Sequence, residues 1–128
     1  MTQVMIVVFD GLQPSQVTPE LMPNLAQFAS EGVIFSKHHP VFPTVTRVNA
    51  ATLVTGRISG SHGLAANTLV ARDFDDDRVI QAMQPHLDAM SRAGVPILFT
   101  PTLAELLSQH GQEYTAIGVG TSGNAYVH

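Results

Sequence analysis

Residues 42–67 read F-P-T-V-T-R-V-N-A-A-T-L-V-T-G-R-I-S-G-S-H-G-L-A-A-N. The stretch begins in a Pro-containing loop, predicts a helix over Thr46–Thr55, and closes on a Gly-rich turn carrying His62 and Asn67. Val48, Ala51, Leu53 and Val54 supply the apolar positions of that helix. Gly56 ends it, because glycine takes the left-handed conformation past a last turn most readily. Thr46 fits the N-cap, where a hydroxyl accepts a main-chain N–H and contributes about 1 kcal/mol. The same position has a second use. Amides and the positive dipole end at a helix start favour a phosphate placed on that oxygen.

Upstream, Val4–Phe9 is a continuous apolar, β-rich run, the pattern of a strand buried on both faces. It stops at Asp10-Gly11. A carboxylate at the carboxyl end of a central strand sits where open α/β sheets hold ligands; a plain turn aspartate is the ordinary alternative. Gln13–Pro23 reads as loop. A helix follows from Pro23, with Leu25, Phe28 and Ala29 as its inner stripe and Gly32 as its end. Val33–Phe35 reads as a short second strand, and His38 and His39 as part of an exposed loop beside Pro40.

Downstream, Thr68–Ala71 is a candidate short strand. The acidic run at 72–78, R-D-F-D-D-D-R, lacks the glycine and distal glutamate of an EF-hand loop. It reads as a solvated loop rather than a calcium site. Val79–Ala93 is weakly helical and interrupted by Pro85. Thr102 and Glu105 form a capping box for a helix with Leu103, Leu106 and Leu107 inward and Gly111 just past its end. Tyr114–Val119 is a third apolar strand. The order implies an α/β fold, a mostly parallel sheet flanked by helices, within one domain over residues 1–128. Right-handed crossovers place the ends of the first and third strands on one sheet edge.

Composition narrows the function. The net charge is −4 and charged residues are only 12%, so no basic stripe exists to neutralise a nucleic-acid backbone. The absence of cysteine excludes disulfides and thiolate metal sites within these residues. No apolar run reaches membrane-spanning length. The start of the chain carries no basic n-region and no cleavage site. The expectation is a cytoplasmic protein without membrane contact, unless a signal lies outside these residues.

Asp10 and Thr46 lie on different elements that converge at the carboxyl edge of the expected sheet. A threonine hydroxyl is a poor nucleophile until a base or a metal lowers its pKa. No histidine or lysine stands near Thr46 in sequence, so metal activation is the economical reading: Asp10 holds a divalent cation that carries the Thr46 alkoxide. Asn67 offers an amide donor where negative charge develops on a substrate oxygen.

Five motifs occur in order: V-V-F-D-G-L at 7–12, M-P-N-L at 22–25, F-P-T-V-T-R-V-N at 42–49, L-V-T-G at 53–56 and S-H-G-L-A-A-N at 61–67. This set resembles the alkaline phosphatase superfamily, and within it the nucleotide pyrophosphatase/phosphodiesterase, or type I phosphodiesterase, branch. The resemblance is close over the first 70 or so residues. It implies a hydrolase of phosphodiesters or related phosphate esters, with two divalent metal ions, expected to be zinc. It implies Asp10 and Thr46 as ligands of one metal, Thr46 as nucleophile through a phosphothreonine intermediate, and Asn67 as a phosphoryl-oxygen donor. His62 in S-H-G is expected to stabilise its turn. The implied substrate is a small phosphate ester or a nucleotide-like molecule.

Two departures from the branch's pattern stand out. Arg47-Val48 occupy the places where the branch usually has Phe-Pro. A guanidinium there suits an additional anionic substrate group, which opens a phosphonate or phosphomonoester substrate as an alternative. The later ligands are also missing: the chain has no D-x-x-x-H and no D-H, and its six histidines stand at 38, 39, 62, 86, 110 and 128. The expectation is an N-terminal portion that needs the remainder of its catalytic domain and shows little or no activity alone. The non-catalytic alternative is a small α/β module that binds an anion or a partner through helix N-termini.

Overall fold

A computed structural model describes residues 3–74 and 79–118. The chain divides into two compact units, Met1–His39 and Pro40–His128. In the first, a 3-10 turn at Pro14–Gln16 precedes helix α1, Pro23–Ser30, which starts with proline in its first turn as expected. Leu25 and Ala29 are half-buried, but Phe28 is 75% exposed, so the expected stripe is only partly covered. No residue among the described part of this unit is buried.

The second unit holds the core. Helix α2 runs Thr46–Thr55, as the sequence predicts, and ends on Gly56 at φ 63°. Its inward stripe is Val48, Ala51 and Val54, spaced three apart, whereas Leu53 turns out to the exposed side. A four-residue helix α3, Ser59–His62, follows, then strand β1, Thr68–Val70. Strand β2, Val79–Gln81, pairs with β1 antiparallel, Leu69 opposite Ile80. Helix α4, Gln84–Arg92, buries Leu87 and Met90, and α5, Leu103–Gln109, packs against α2. Ala51, Val54, Leu64, Ile80, Ala82, Leu87 and Met90 form one apolar cluster. Each fully buried large aliphatic in it contributes about 1.5–3 kcal/mol over its exposed state.

Several expectations change. Val79–Ala93 is not a helix broken by Pro85: its start is β2, and Pro85 sits in the first turn of α4. There the ring costs nothing, because first-turn N–H groups have no intrahelical acceptor. The only strands among the described residues are the antiparallel pair β1 and β2. The mostly parallel sheet expected from Val4–Phe9, Val33–Phe35 and Tyr114–Val119 is not formed among them. Val4–Phe9 has no regular secondary structure and is 52–86% exposed, and Ile117 is 92% exposed. A parallel strand takes all its hydrogen bonds from neighbouring strands, so an apolar run without a ladder is not a strand. Residues 75–78 of the acidic run, the last residue of the expected Tyr114–Val119 strand and the glycine-rich residues 120–128 lie outside the described residues. No helix among those described is long and apolar enough to cross a membrane.

Candidate active site

The site begins with the loop 41–45, which delivers the chain to the start of α2. The Phe42–Pro43 peptide in it is cis. One side chain stitches this loop to the helix. Asn49 Nδ2 donates to the Val45 carbonyl at 3.1 Å, and its second hydrogen faces the carbonyls of Val41 at 3.4 Å and Pro43 at 3.5 Å. Its Oδ1 accepts the Val41 N–H at 2.9 Å. A half-buried carboxamide that saturates main-chain groups on both sides fixes the loop's path, because each group would otherwise lose a partner away from water. Asparagine is a mediocre residue within a helix, and that oddity was the only sequence signal of this role.

Thr46 opens α2 one place further in than expected. The N-cap is Val45, extended at φ −105° and ψ 147°, without a side-chain cap. Thr46 is therefore the first helical residue, and its side chain is exposed. The reason is local: the Asn49 N–H bonds to the Val45 carbonyl at 3.1 Å, which makes residue 45 the last non-helical position. The amides of the first turn and the positive end of the helix dipole still surround residue 46.

Arg47 and Asn67, twenty residues apart, are brought together. Arg47 Nη1 donates to the Asn67 main-chain carbonyl at 3.4 Å. The same carbonyl accepts the Ala82 N–H at 2.8 Å, one step beyond the β1–β2 ladder. The Asn67 side chain is exposed. Arg47 is half-buried, and its Nε is enclosed without a hydrogen-bond partner.

His62 is structural, as its turn position suggests. It is fully buried. Its Nδ1 accepts the Leu64 N–H at 3.2 Å, so Nε2 carries the proton and donates to Thr52 Oγ1 at 3.1 Å. Burial lowers its pKa, since the charged imidazolium would lose its hydration. The following Gly63 is at φ 87°, and a Cβ there would stand 2.4 Å from the Phe99 ring. Only glycine fits both the angle and the contact.

Asp10 belongs to the other unit. It lies in a turn closed by the Leu12 N–H on the Phe9 carbonyl at 3.2 Å, and it is exposed. His38 and His39 are exposed as expected. No group of three or more histidine, aspartate or glutamate side chains that could hold a metal occurs among the described residues. Asp10 is thus a single carboxylate, and the described residues do not fit a complete two-metal site.

The second unit thus carries a loop pinned to the start of α2, an exposed threonine in its first turn and Arg47 bonded to the Asn67 carbonyl. The family comparison agrees with the motifs: the model for type I phosphodiesterase / nucleotide pyrophosphatase matches residues 4–126. The chain belongs to that family. Among curated relatives, the bis(5'-adenosyl)-triphosphatase enpp4 of Xenopus laevis is 36% identical over 84 residues, 66% of this chain and 18% of that protein. The enzymes of the same name from Bos taurus and Homo sapiens are each 34% identical over 67 residues, 52% of this chain and 15% of theirs. The chain thus spans less than a fifth of the length of these relatives. No solved structure matches it.

Proposed function

We propose that this chain is the nucleophile-bearing part of a phosphodiester or phosphoanhydride hydrolase, with Thr46 as nucleophile. The observation that carries the reading is the exposed Thr46 in the first turn of α2, behind a loop pinned by Asn49, in a chain that belongs to the family. Thr46 Oγ1 forms a bond to phosphorus as the bond to the leaving ester oxygen breaks in line with it, and that oxygen takes up a proton. Water then attacks the phosphothreonine, the P–Oγ1 bond breaks, and the threonine hydroxyl regains its proton. The Asn67 amide donates to a nonbridging oxygen, and first-turn amides of α2 add to the stabilisation of charge there.

The relatives are named for cleaving a bis(5'-adenosyl) triphosphate, which supports a nucleotide-like substrate. Arg47 favours a second reading of substrate class. Its guanidinium charge, one residue after Thr46, suits a substrate carrying a further anionic group beside the scissile phosphoryl, including a phosphonate. In the longer domain, residues 1–128 would contribute the parallel strands of an alkaline-phosphatase-like sheet, and Asp10 one ligand to a zinc-type site. A metal requirement is measured on that longer protein, by activity before and after chelation and re-addition of zinc.

The test is turnover of a chromogenic phosphodiester by the full-length protein. Thr46→Ala is expected to lower kcat by roughly three orders of magnitude or more, as loss of a covalent nucleophile does. Unchanged turnover removes the assignment.

A further inference from the structure

We propose that Arg47 is a positioning residue: it ties Asn67 to the start of α2, so that the Asn67 amide and the Thr46 hydroxyl act on one phosphoryl group. This rests on the reading of Thr46 and Asn67 above. It assigns Arg47 a role separate from any contact with substrate.

The carbonyl of Asn67 holds two donors from two different elements, Ala82 N–H at 2.8 Å and Arg47 Nη1 at 3.4 Å. A carbonyl oxygen has two lone pairs, so both are engaged. The main chain of residue 67 is therefore held from the β2 side and from the α2 side, while its side chain stays exposed. The guanidinium is planar, and here its Nη1 is bonded and its Nε enclosed. Turning the group about its stem would break the Nη1 bond to Asn67. Arg47 also follows Thr46 directly on the helix. A drift of Asn67 away from α2 stretches a contact that starts next to the nucleophile. The amide that contacts a transition state must be placed to a fraction of an ångström, so such a tether acts on the chemical step more than on binding.

Kinetics of the full-length protein separate this role from charge attraction. The set is wild type, Arg47→Met, Asn67→Ala and the double variant, each measured for kcat and KM with a chromogenic phosphodiester. Arg47→Met is expected to lower kcat roughly tenfold to a hundredfold. In the Asn67→Ala background the same substitution should leave kcat within about twofold, because residues acting as one unit are not additive. Any effect of the lost charge on KM persists in both backgrounds. A kcat loss that multiplies in the double variant overturns the proposal and leaves Thr46 as nucleophile. Amide hydrogen exchange at Ala82, read without substrate, tests the tether independently of turnover. Arg47→Met should speed it, and an unchanged rate overturns the tether. Full activity in Thr46→Ala would remove the functional reading instead, and the exchange rate at Ala82 would still decide the tether.

Discussion

Residues 3–39 and the unit that begins at Pro40 use similar apolar content in opposite ways. The second unit buries Val48, Ala51, Val54, Leu64, Ile80, Leu87 and Met90. The first buries none of its described residues, although Val4–Phe9 is the most hydrophobic run in the chain. The difference is one of connectivity. Helices α2 and α4 bring their own hydrogen bonds and need only one covered stripe each, which they and the β1–β2 hairpin give one another. A strand of a parallel sheet brings nothing that closes on itself. Thr46 and Asn67 stand on the part that can hold its shape, whereas Asp10 follows a run that joins no ladder among the described residues.

Substitutions break or sharpen that contrast, and the largest effect lies in the core. Leu87 is fully enclosed, so Leu87→Ala in this chain should destabilise the second unit by about 2–5 kcal/mol in denaturant unfolding. Gly63→Ala comes next. The positive φ and the Phe99 ring together are expected to cost about 1–3 kcal/mol, seen as a lowered midpoint. Thr102→Ala removes the hydroxyl that accepts the Glu105 N–H at 3.3 Å, a loss of about 1 kcal/mol. At the bottom stands Val7→Ala in the first unit, which is 59% exposed. It should change stability by no more than about 0.5 kcal/mol. A cost near that of Leu87→Ala would show that Val4–Phe9 is covered after all, and the contrast between the regions would fall.

His62 gives the second unit a pH dependence that comes from its core. Its folded-state pKa lies below the ordinary 6.5 because burial disfavours the charged form. The unfolded chain therefore binds its proton first as pH falls. Stability from neutral His62 is complete above 6.5 and is lost as pH drops from there through the lowered folded value. Thermal melts across that window should show a falling midpoint in wild type and a flatter profile in His62→Gln. An equal slope in both removes His62 as the cause.

Much of the second unit was legible in the sequence because its signals are local. The apolar spacing of α2, Gly56 at its end and the Thr102–Glu105 box all act within a turn or two. The N-cap falls one residue before Thr46, the better capping type, because the Asn49 main-chain N–H bonds to the Val45 carbonyl. Pro85 looked like a break because position within a helix, not the residue, decides what proline does. The sheet was the least legible part. An apolar run states that a strand would be buried, but the neighbours that make it a strand are not encoded within the run. The tie between Arg47 and Asn67 was equally hidden, since it joins residues twenty apart through a main-chain carbonyl.

The central claim is that Thr46 carries the phosphoryl group during turnover. Rapid acid quenching of the full-length protein while it hydrolyses a phosphodiester, followed by peptide mass mapping, tests it directly. The expected result is a phosphoryl group on Thr46 of the peptide spanning α2, lost in Thr46→Ala together with activity. Steady turnover with the phosphoryl group on a different residue, or with none trapped under conditions that preserve phosphothreonine, would contradict it.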